Sequence, residues 1–516
     1  MKKELQIKIP LDDSIEDHLN KLTSGWTDYL ILKKSVDARN KSKILLVYFL
    51  EVYFKQEVPE REIFELNKVH YDGDPIIVIG SGPAGLFAAL RLCEQGVPVK
   101  VLEQGSETKE RILKINKFWR YGELDETNNT CFGEGGAGLF SDGKLITRIK
   151  SPFIPYVMRR LVEMGAPEEI EYLANPHVGS DKIRRLIPYL RQKIEALGGV
   201  FLFKTQMLAL LVEGKEVVGV EAKDLQSGKV EKIYSPAVIL ATGHSANSVY
   251  EHLKEISVEI QGQSFAVGLR VEHPRTAINL MQYGEKWDHE KLETANYKLS
   301  YKDTLNHVGV YSFCMCPGGY VLNTSTQKGQ MVCNGMSNYK RNSAFSNSAV
   351  VVSVDYEKHF GTDAFAGLRW RTDLEGRFEK SITDQGGIKE LPAQKLNDLI
   401  ANRTSFTLPK GSSLSGALPV NLAELLPKFI LDSFIKGMEN FNTKMKGFAS
   451  EDCLLYGIES RTSAPLRIVR DKDSLQSTSH PGLYPAGEGA GYAGGITSSA
   501  CDGVRIADKI VSLLEK

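Results

Sequence analysis

The sequence has no excess charge of either sign: 64 Lys and Arg residues balance 64 Asp and Glu. No overall field draws such a chain to nucleic acid or to anionic lipid, so neither is expected as a partner. Long hydrophobic runs are also missing. The most apolar stretch, ILLVYFLEVYF at 44–54, is too short to span a bilayer and carries Glu51. The opening residues, MKKELQIKIPLDD, are too charged for a signal peptide, and the cytoplasm is the expected compartment. Cysteine is sparse: seven in 516 residues, an odd number scattered along the chain. That is not a secreted disulfide framework, so reduced thiols are expected. The cysteines lack the paired CxxC spacings of a structural zinc site, and no metal is expected. There are no internal repeats and no low-complexity tract.

What the chain does have is length. At roughly 150 residues per domain, two to four domains fit. Residues 1–70 read as a small α+β unit of order βαββ. Leu5, Ile7 and Ile9 alternate as on a half-buried strand, and Ser14 and Asp17 stand where a helix would be capped. Strands are expected at 29–34 and 44–54, with the basic segment KKSVDARNKSK between them as a solvated loop. HYDGDP at 70–75 reads as the linker out of this unit.

The strongest motif follows, PIIVIGSGPAGLFAALRLCEQGVPVKVLEQG at 75–105. Residues 76–79 form an uninterrupted apolar run, as in a strand buried on both faces of a parallel sheet. Gly80, Gly82 and Gly85 then spell GxGxxG, with Ser81, Pro83 and Ala84 between them. The first glycine permits the turn, the second lets a pyrophosphate approach the backbone, and the third lets the helix pack close. That helix presents its N–H groups to an anion. A second strand ends at Glu103, beside Gln104. A carboxylate there can accept both hydroxyls of an adenosine ribose and repels a 2′-phosphate, which argues against NADP at this position.

Near the far end stands GLYPAGEGAGYAGGITSSACDGVRIADKI, residues 482–510. Gly487 and Glu488 place a carboxylate on a turn where a polyol can hydrogen-bond to it. Gly494, Gly495 and Ile496 are an open backbone entering a helix. The positive end of that helix suits the N1–C2=O edge of a flavin, where negative charge develops on reduction. A nicotinamide dinucleotide has neither a ribityl chain nor such an edge.

These motifs resemble the glutathione-reductase-like FAD-binding superfamily, in which the two glycine segments hold opposite halves of one extended FAD. The resemblance implies several further site residues. Ala241, Thr242 and Gly243, in VILATG at 238–243, would run past the cofactor, and Met207, in FKTQM at 203–207, would meet the adenine. Arg111 would stand near the pyrophosphate. Gly133, Gly135, Gly136, Ala137 and Gly138, in FGEGGAGLFSDGKL at 132–145, would wrap the pyrophosphate or the flavin edge. A closer resemblance rests on SVDAR (35–39), FGEGGAG, GLRVEHP (268–274), FCMCPGG (313–319), NGMS (334–337) and GIESRTSAPLRIVR (457–470). It is to a poorly characterised family of FAD-dependent dehydrogenases, often labelled NAD(FAD)-utilising. The implied fold is α/β: a Rossmann-like FAD-binding domain with a parallel sheet of the GR2 type, an inserted α+β substrate domain and the small N-terminal α+β domain. The expected boundaries are 1–70, 71–260 and 448–516 for the two parts of the FAD-binding domain after the first unit, and 261–447 for the substrate domain.

FCMCPGG itself has three readings. Metal lacks partner ligands. A redox dithiol of Cys314 and Cys316 would need a strained ring between alternate residues of a strand. A strand over 309–315 turned by Pro317, Gly318 and Gly319 is the favoured reading. In the inserted region, strands are expected at 264–271, 308–315, 330–334 and 349–354, and helices near 363–380 and 422–441. Arg270, Glu272, His273, Asn334, Arg341, Glu459 and Arg461 are the polar candidates there. Arg270 and Arg461 are expected to clamp a substrate carboxylate, and His273 to act as a general base. The expected function is an FAD-dependent oxidoreductase that moves hydride between a small organic molecule and flavin N5. NAD(P)H is a candidate electron donor, although no second strand–GxGxxG–helix unit is found to hold it. The alternatives are a dithiol/disulfide oxidoreductase using Cys314 and Cys316, and an FAD-binding protein linked to RNA modification.

Overall fold

The computed structural model describes residues 2–54, 64, 66 and 68–514. The N-terminal unit has the expected order. Strands Lys2–Pro10 and Trp26–Asp37 flank Leu45–Phe54 in an antiparallel sheet, and helix Ile15–Leu22 covers one face. Ser14 caps that helix by accepting from the Asp17 N–H at 3.0 Å. Ile7, Ile9, Leu19 and Leu50 close the small core. The strand at 26–37 runs past its expected end at 34, so Ser35, Val36 and Asp37 lie in the sheet and not in a loop. Pairing with Leu45–Phe54 as far as Asp37 carries the basic segment into extended backbone.

The next layer is a parallel sheet of order Leu483–Pro485, Val238–Leu240, Ile76–Ile79, Val99–Glu103, Val200–Phe203. Every pairing in it is parallel. Ile76, Ile77 and Val78 are fully buried, as the unbroken apolar run requires. A strand from near the end of the sequence thus lies two places from the first fingerprint strand. The expected strand at 203–207 is interrupted: Lys204 adopts a left-handed φ of 54°, and Thr205–Glu213 departs into a separate antiparallel sheet with Glu216–Asp224 and Val230–Tyr234.

Helix Ile496–Leu514 packs along helix Pro83–Glu94, the helix that opens from the GxGxxG turn. The contact is backbone against backbone, because a Cβ on Gly503 would run into the Ala84 carbonyl. Asp508 then accepts from Arg91 at 2.6 Å and from Gln95 at 2.7 Å.

The inserted region builds a seven-stranded sheet with Phe265–Pro274 near its middle, between Phe345–Val354 and Leu454–Glu459. The last of these strands corrects the expected boundary at 447: residues 454–459 belong to the inserted domain's sheet. The helix expected over 422–441 is split into Leu422–Leu425 and Lys428–Lys444 at Pro427.

Gly503→Ala is expected to destabilise the protein by about 1–3 kcal/mol, as an added methyl does in a filled contact. A thermal melt checks it, and a Tm equal to that of the unsubstituted protein would count against the helix contact.

Candidate cofactor and substrate site

The fingerprint turn is set by its glycines. Gly80 has φ +97°, and a Cβ there would meet the Ala241 carbonyl. Gly82 and Gly136 bring two glycine loops together: a Cβ on Gly136 would lie 2.9 Å from the Gly82 Cα. Both loops are tied down by Glu103. One of its oxygens accepts from the Ser81 N–H (3.0 Å) and hydroxyl (2.8 Å), the other from the Gly105 and Gly133 N–H groups (2.9 Å each). A carboxylate has about four acceptor positions, and all are used here. Glu103 borders the cavity, but in this arrangement it is a clasp between loops, with no lone pair left over for ribose hydroxyls.

Arg111 also differs from expectation. It is sealed from solvent and donates to the carbonyls of Asn129 (2.9 Å), Gly133 (3.2 Å) and Glu134 (2.7 Å). Burial lowers its pKa to about 10. It holds the second glycine loop from behind and does not reach the cavity wall.

A cavity of about 1440 Å³ lies between the two halves of the molecule. This exceeds the roughly 300–1,000 Å³ of an ordinary small-molecule pocket. Its wall includes Gly80, Ser81, Gly82, Pro83 and Ala84 from the fingerprint, Glu103 and Gln104 from the second strand, and Gly136, Ala137 and Gly138 from the second loop. Met207, Ala241, Thr242, Gly243, Glu488, Gly494, Gly495, Ile496 and Arg461 are also there, as are the polar candidates Asn334 and Arg341. Gly85, Gly133, Gly135 and Gly487 lie behind the wall. Gly85 serves helix packing, since a Cβ on it would strike the Gly80 carbonyl.

The residues present fit FAD. Gly243, Gly494 and Gly495 face open space, with no atom within 4 Å of where a side chain would begin. Glu488 borders the cavity with no hydrogen-bond partner for its carboxylate among the described residues, and burial raises its pKa to about 7. A half-buried acid without a protein partner is the signature of a group awaiting donors from a ligand.

The substrate-side candidates separate. Arg461 reaches the cavity and is fixed by Glu375 (2.8 Å), Gln330 (2.8 Å), Thr326 (2.8 Å) and Ser245 (3.0 Å). Arg270 does not reach it. Its guanidinium binds Glu459 (2.8 Å), Asn347 (2.8 Å), Asn334 (3.2 Å) and the Cys314 carbonyl (2.7 Å). The clamp role expected of it is replaced by one of supporting the wall. His273 is likewise displaced from the expected role of base. Its Nε2–H donates to the Phe448 carbonyl at 2.6 Å, its ring packs on Phe448, and burial holds its pKa down to about 4. Glu272 is buried against Ser412 and Tyr456. Sequence reasoning missed Arg371 and Glu375, one helical turn apart in Ala366–Thr383 and fully buried. It also missed His244 as a cavity residue, whose pKa falls to about 3 through burial and the nearby Arg371 and Arg461.

FCMCPGG resolves as a broken strand end. Register with Phe345–Val354 slips between Phe313 and Cys316, and Cys314 takes φ +46°. Cys314 therefore borders the cavity while Cys316 is buried behind it. Burial raises the Cys314 thiol to about 12 and pushes Cys316 up as well. Neither is the low-pKa thiol that disulfide exchange requires.

Comparison with known proteins agrees with this site. Residues 75–113 and 155–267 match the FAD binding domain family, and residues 264–462 match the family of the FAD-dependent protein, C-terminal domain-like. An uncharacterized protein of Clostridium beijerinckii is 38% identical over 498 residues, covering 93% of this chain and 92% of that protein. The chain belongs to the FAD-dependent oxidoreductases. This flavoprotein is also 27% identical over 203 residues to the NADH:fumarate oxidoreductase of Klebsiella pneumoniae, covering 34% of this chain and 21% of that protein. Among solved structures, glycerol-3-phosphate dehydrogenase from Bacillus halodurans complexed with FAD superposes with TM-score 0.34 at 11% identity, over 86% of the flavoprotein and 64% of that chain. No helix among the described residues is long and apolar enough to cross a membrane, and none of their His, Cys, Asp and Glu side chains group as a metal site.

The raised Glu488 pKa has a defined consequence in the FAD-stripped protein. Between about pH 4.5 and 7 the folded state keeps a proton that the unfolded chain has released. That contribution is complete below pH 4.5 and is lost as pH rises through 7. Glu488→Gln is expected to remove this fall from the Tm-versus-pH profile; identical profiles for the two proteins would exclude it.

Proposed function

We propose that this flavoprotein is a dehydrogenase or reductase acting on a small organic molecule, with a separate electron donor or acceptor closing the cycle. The observation that carries this reading is the convergence on one cavity of two glycine segments some four hundred residues apart. FAD, when bound, supplies hydride exchange at its N5. The chain supplies its grip and orientation. The N–H groups at the start of helix Pro83–Glu94 and those of Gly136–138 would hold the pyrophosphate. Met207 and Gln104 would border the adenosine. Glu488 would accept from the ribityl hydroxyls, a role that restores its carboxylate to the ionised form by giving it donors. The backbone at Gly494, Gly495 and Ile496, at the positive end of the terminal helix, would face the flavin edge that gains negative charge on reduction.

On the other wall, Arg461 is held rigid by four side chains and presents its guanidinium to the cavity. All five of its N–H groups are taken by these residues, so what it offers a bound molecule is a fixed, partly neutralised positive charge and not a further hydrogen bond. His244 beside it stays neutral at physiological pH and can accept or donate one hydrogen bond.

The test is anaerobic titration of the yellow protein with NADH, NADPH and a panel of organic acids and alcohols. Bleaching of the flavin band by one of them is expected and names the donor. A colourless preparation that takes up no FAD would refute the reading. Cys314→Ala and Cys316→Ala are each expected to retain the rate of flavin reduction, measured by stopped flow. Loss in either would revive dithiol chemistry.

A further inference from the structure

The cavity wall carries an unbalanced cluster of positive charge on the side away from the fingerprint. Lys144 leaves the second glycine loop just after Gly143. It is positioned from three directions: it bridges to His177 in the chain, Leu145 N–H donates to Pro176 at 2.9 Å, and the Leu145 carbonyl accepts from Thr497 at 2.7 Å. Its ammonium donates to the Met315 carbonyl, next to Cys314. Lys298 borders the same cavity, on a segment pinned to Ser312 by a reciprocal pair of 2.8 Å hydrogen bonds from and to Leu299. Arg148 lies beside Tyr311. All three border the same cavity. They feel one another, since the pKa of Lys298 is lowered by burial first and then by Arg148 and Lys144.

No carboxylate among the described residues pairs with any of the three. The other cations in the wall are neutralised, Arg341 by Asp142 at 3.1 Å and Arg461 by Glu375. The acids of the wall are engaged elsewhere or stand on the cofactor side: Glu103 clasps the two loops, Glu126 accepts from the Lys328 N–H at 2.8 Å, and Glu488 follows Gly487. Solvent screens the exposed Arg148 and Lys298, but with half-buried Lys144 they leave a local positive field that an anion would neutralise. Tyr311 and Phe313, both half-buried, provide an apolar surface next to them.

We propose that Lys144, Arg148 and Lys298 anchor the acidic group of the substrate, so that the molecule oxidised or reduced is an organic anion whose carboxylate or phosphate oxygens sit among these cations and whose apolar body lies against Tyr311 and Phe313. The proposal rests on the oxidoreductase reading and narrows its substrate class. The exposed Arg148 and Lys298 draw the anion toward the opening, and the half-buried Lys144 fixes it beside Cys314. The neutral net charge of the whole chain makes this a local field and not a general affinity for polyanions.

The test uses the FAD-loaded protein and three probes, benzoate, phenyl phosphate and the neutral benzamide. Binding is read from perturbation of the flavin absorption band and by calorimetry at low and high salt. At least one of the two anions is expected to bind, more weakly as salt rises, and benzamide at least about tenfold more weakly than that anion. Preference for benzoate or for phenyl phosphate tells a carboxylate site from a phosphate site. Lys298→Gln and Arg148→Gln should each weaken anion binding by about threefold, and Lys144→Gln by about tenfold, with FAD content unchanged. Equal binding of benzamide, an absence of anion binding by yellow protein, or unaltered affinity in all three variants would overturn the proposal. So would displacement of bound anion by NADH at equal occupancy, which would assign the anchor to the electron donor, or loss of FAD from the variants, which would assign it to the cofactor. Failure of the oxidoreductase reading is distinguishable, because it shows as colourless protein.

Discussion

The architecture depends on one close approach. The terminal helix Ile496–Leu514 can lie on the fingerprint helix Pro83–Glu94 only because Gly503 has no side chain to push against the Ala84 carbonyl. With that contact made, strand Leu483–Pro485 joins the parallel sheet and the turn between strand and helix comes over the cavity. Glu488, Gly494 and Gly495 then face Gly82 and Gly136 across one space. Replace the glycine by a larger residue and the helices separate, and with them the two walls. The salt bridge of Arg91 to Asp508 sets the rotation of the pair but is partly exposed and contributes little by itself.

The loops at the cavity are held by charges that are used as ligands of backbone. Glu103 takes four donors and Arg111 gives three, and between them they fix both glycine segments. Fully buried charges are expensive unless every lone pair or proton is used; Glu103 uses all four of its acceptor positions, while Arg111 leaves its buried Nη2 without a partner among the described residues. Spacing locates both residues in the chain, while the bonds they make show them holding the loops. An acid at the end of the second strand and an arginine in the following helix are compatible with holding a ligand or holding the loop that holds it. Spacing does not separate the two, because the second glycine loop is close in space and some thirty residues away in sequence.

Much of the fold was legible for a plain physical reason: periodicity is local. The apolar run at 76–79, the alternation of Leu5, Ile7 and Ile9 and the glycine punctuation all act within a few residues. The boundary at 447 failed because strand Leu454–Glu459, LLYGIE, is apolar on both faces and looks the same in either sheet. His273 and Arg270 failed for a related reason. Their strand lies between two neighbours and is buried from Phe265 to His273, so its polar side chains are enclosed in the sheet and answered by Glu459, Asn347 and the Phe448 carbonyl. A signal did exist. An arginine and a glutamate in a run that reads as a central strand predict partners in neighbouring strands before they predict a ligand. Lys144, Arg148 and Lys298 had no such signal, since two of them lie about one hundred and fifty residues from the third and no motif links them.

One buried ion pair and one buried hydrogen bond join the two halves of the molecule. Asp142 follows the second glycine loop, and it pairs with Arg341 of the inserted domain. Arg461 and Glu375 belong to the inserted domain, and Arg461 reaches across to Ser245, just after the VILATG strand. Such pairs add little net stability over an apolar contact of the same shape, but each tolerates only one geometry. The Asp142–Arg341 pair and the Arg461–Ser245 hydrogen bond across one interface fix the distance and angle between the wall that grips the cofactor and the wall that carries the cations. For a flavoenzyme, rigidity between these walls is the property that matters, because misalignment of reacting groups lowers a rate steeply. If the proposed anion anchor holds, such rigidity favours substrate entry through the opening beside Lys298 and Arg148 over closure of one domain upon the other, and the position of the anion relative to the flavin would then be a property of the fold set before the substrate arrives.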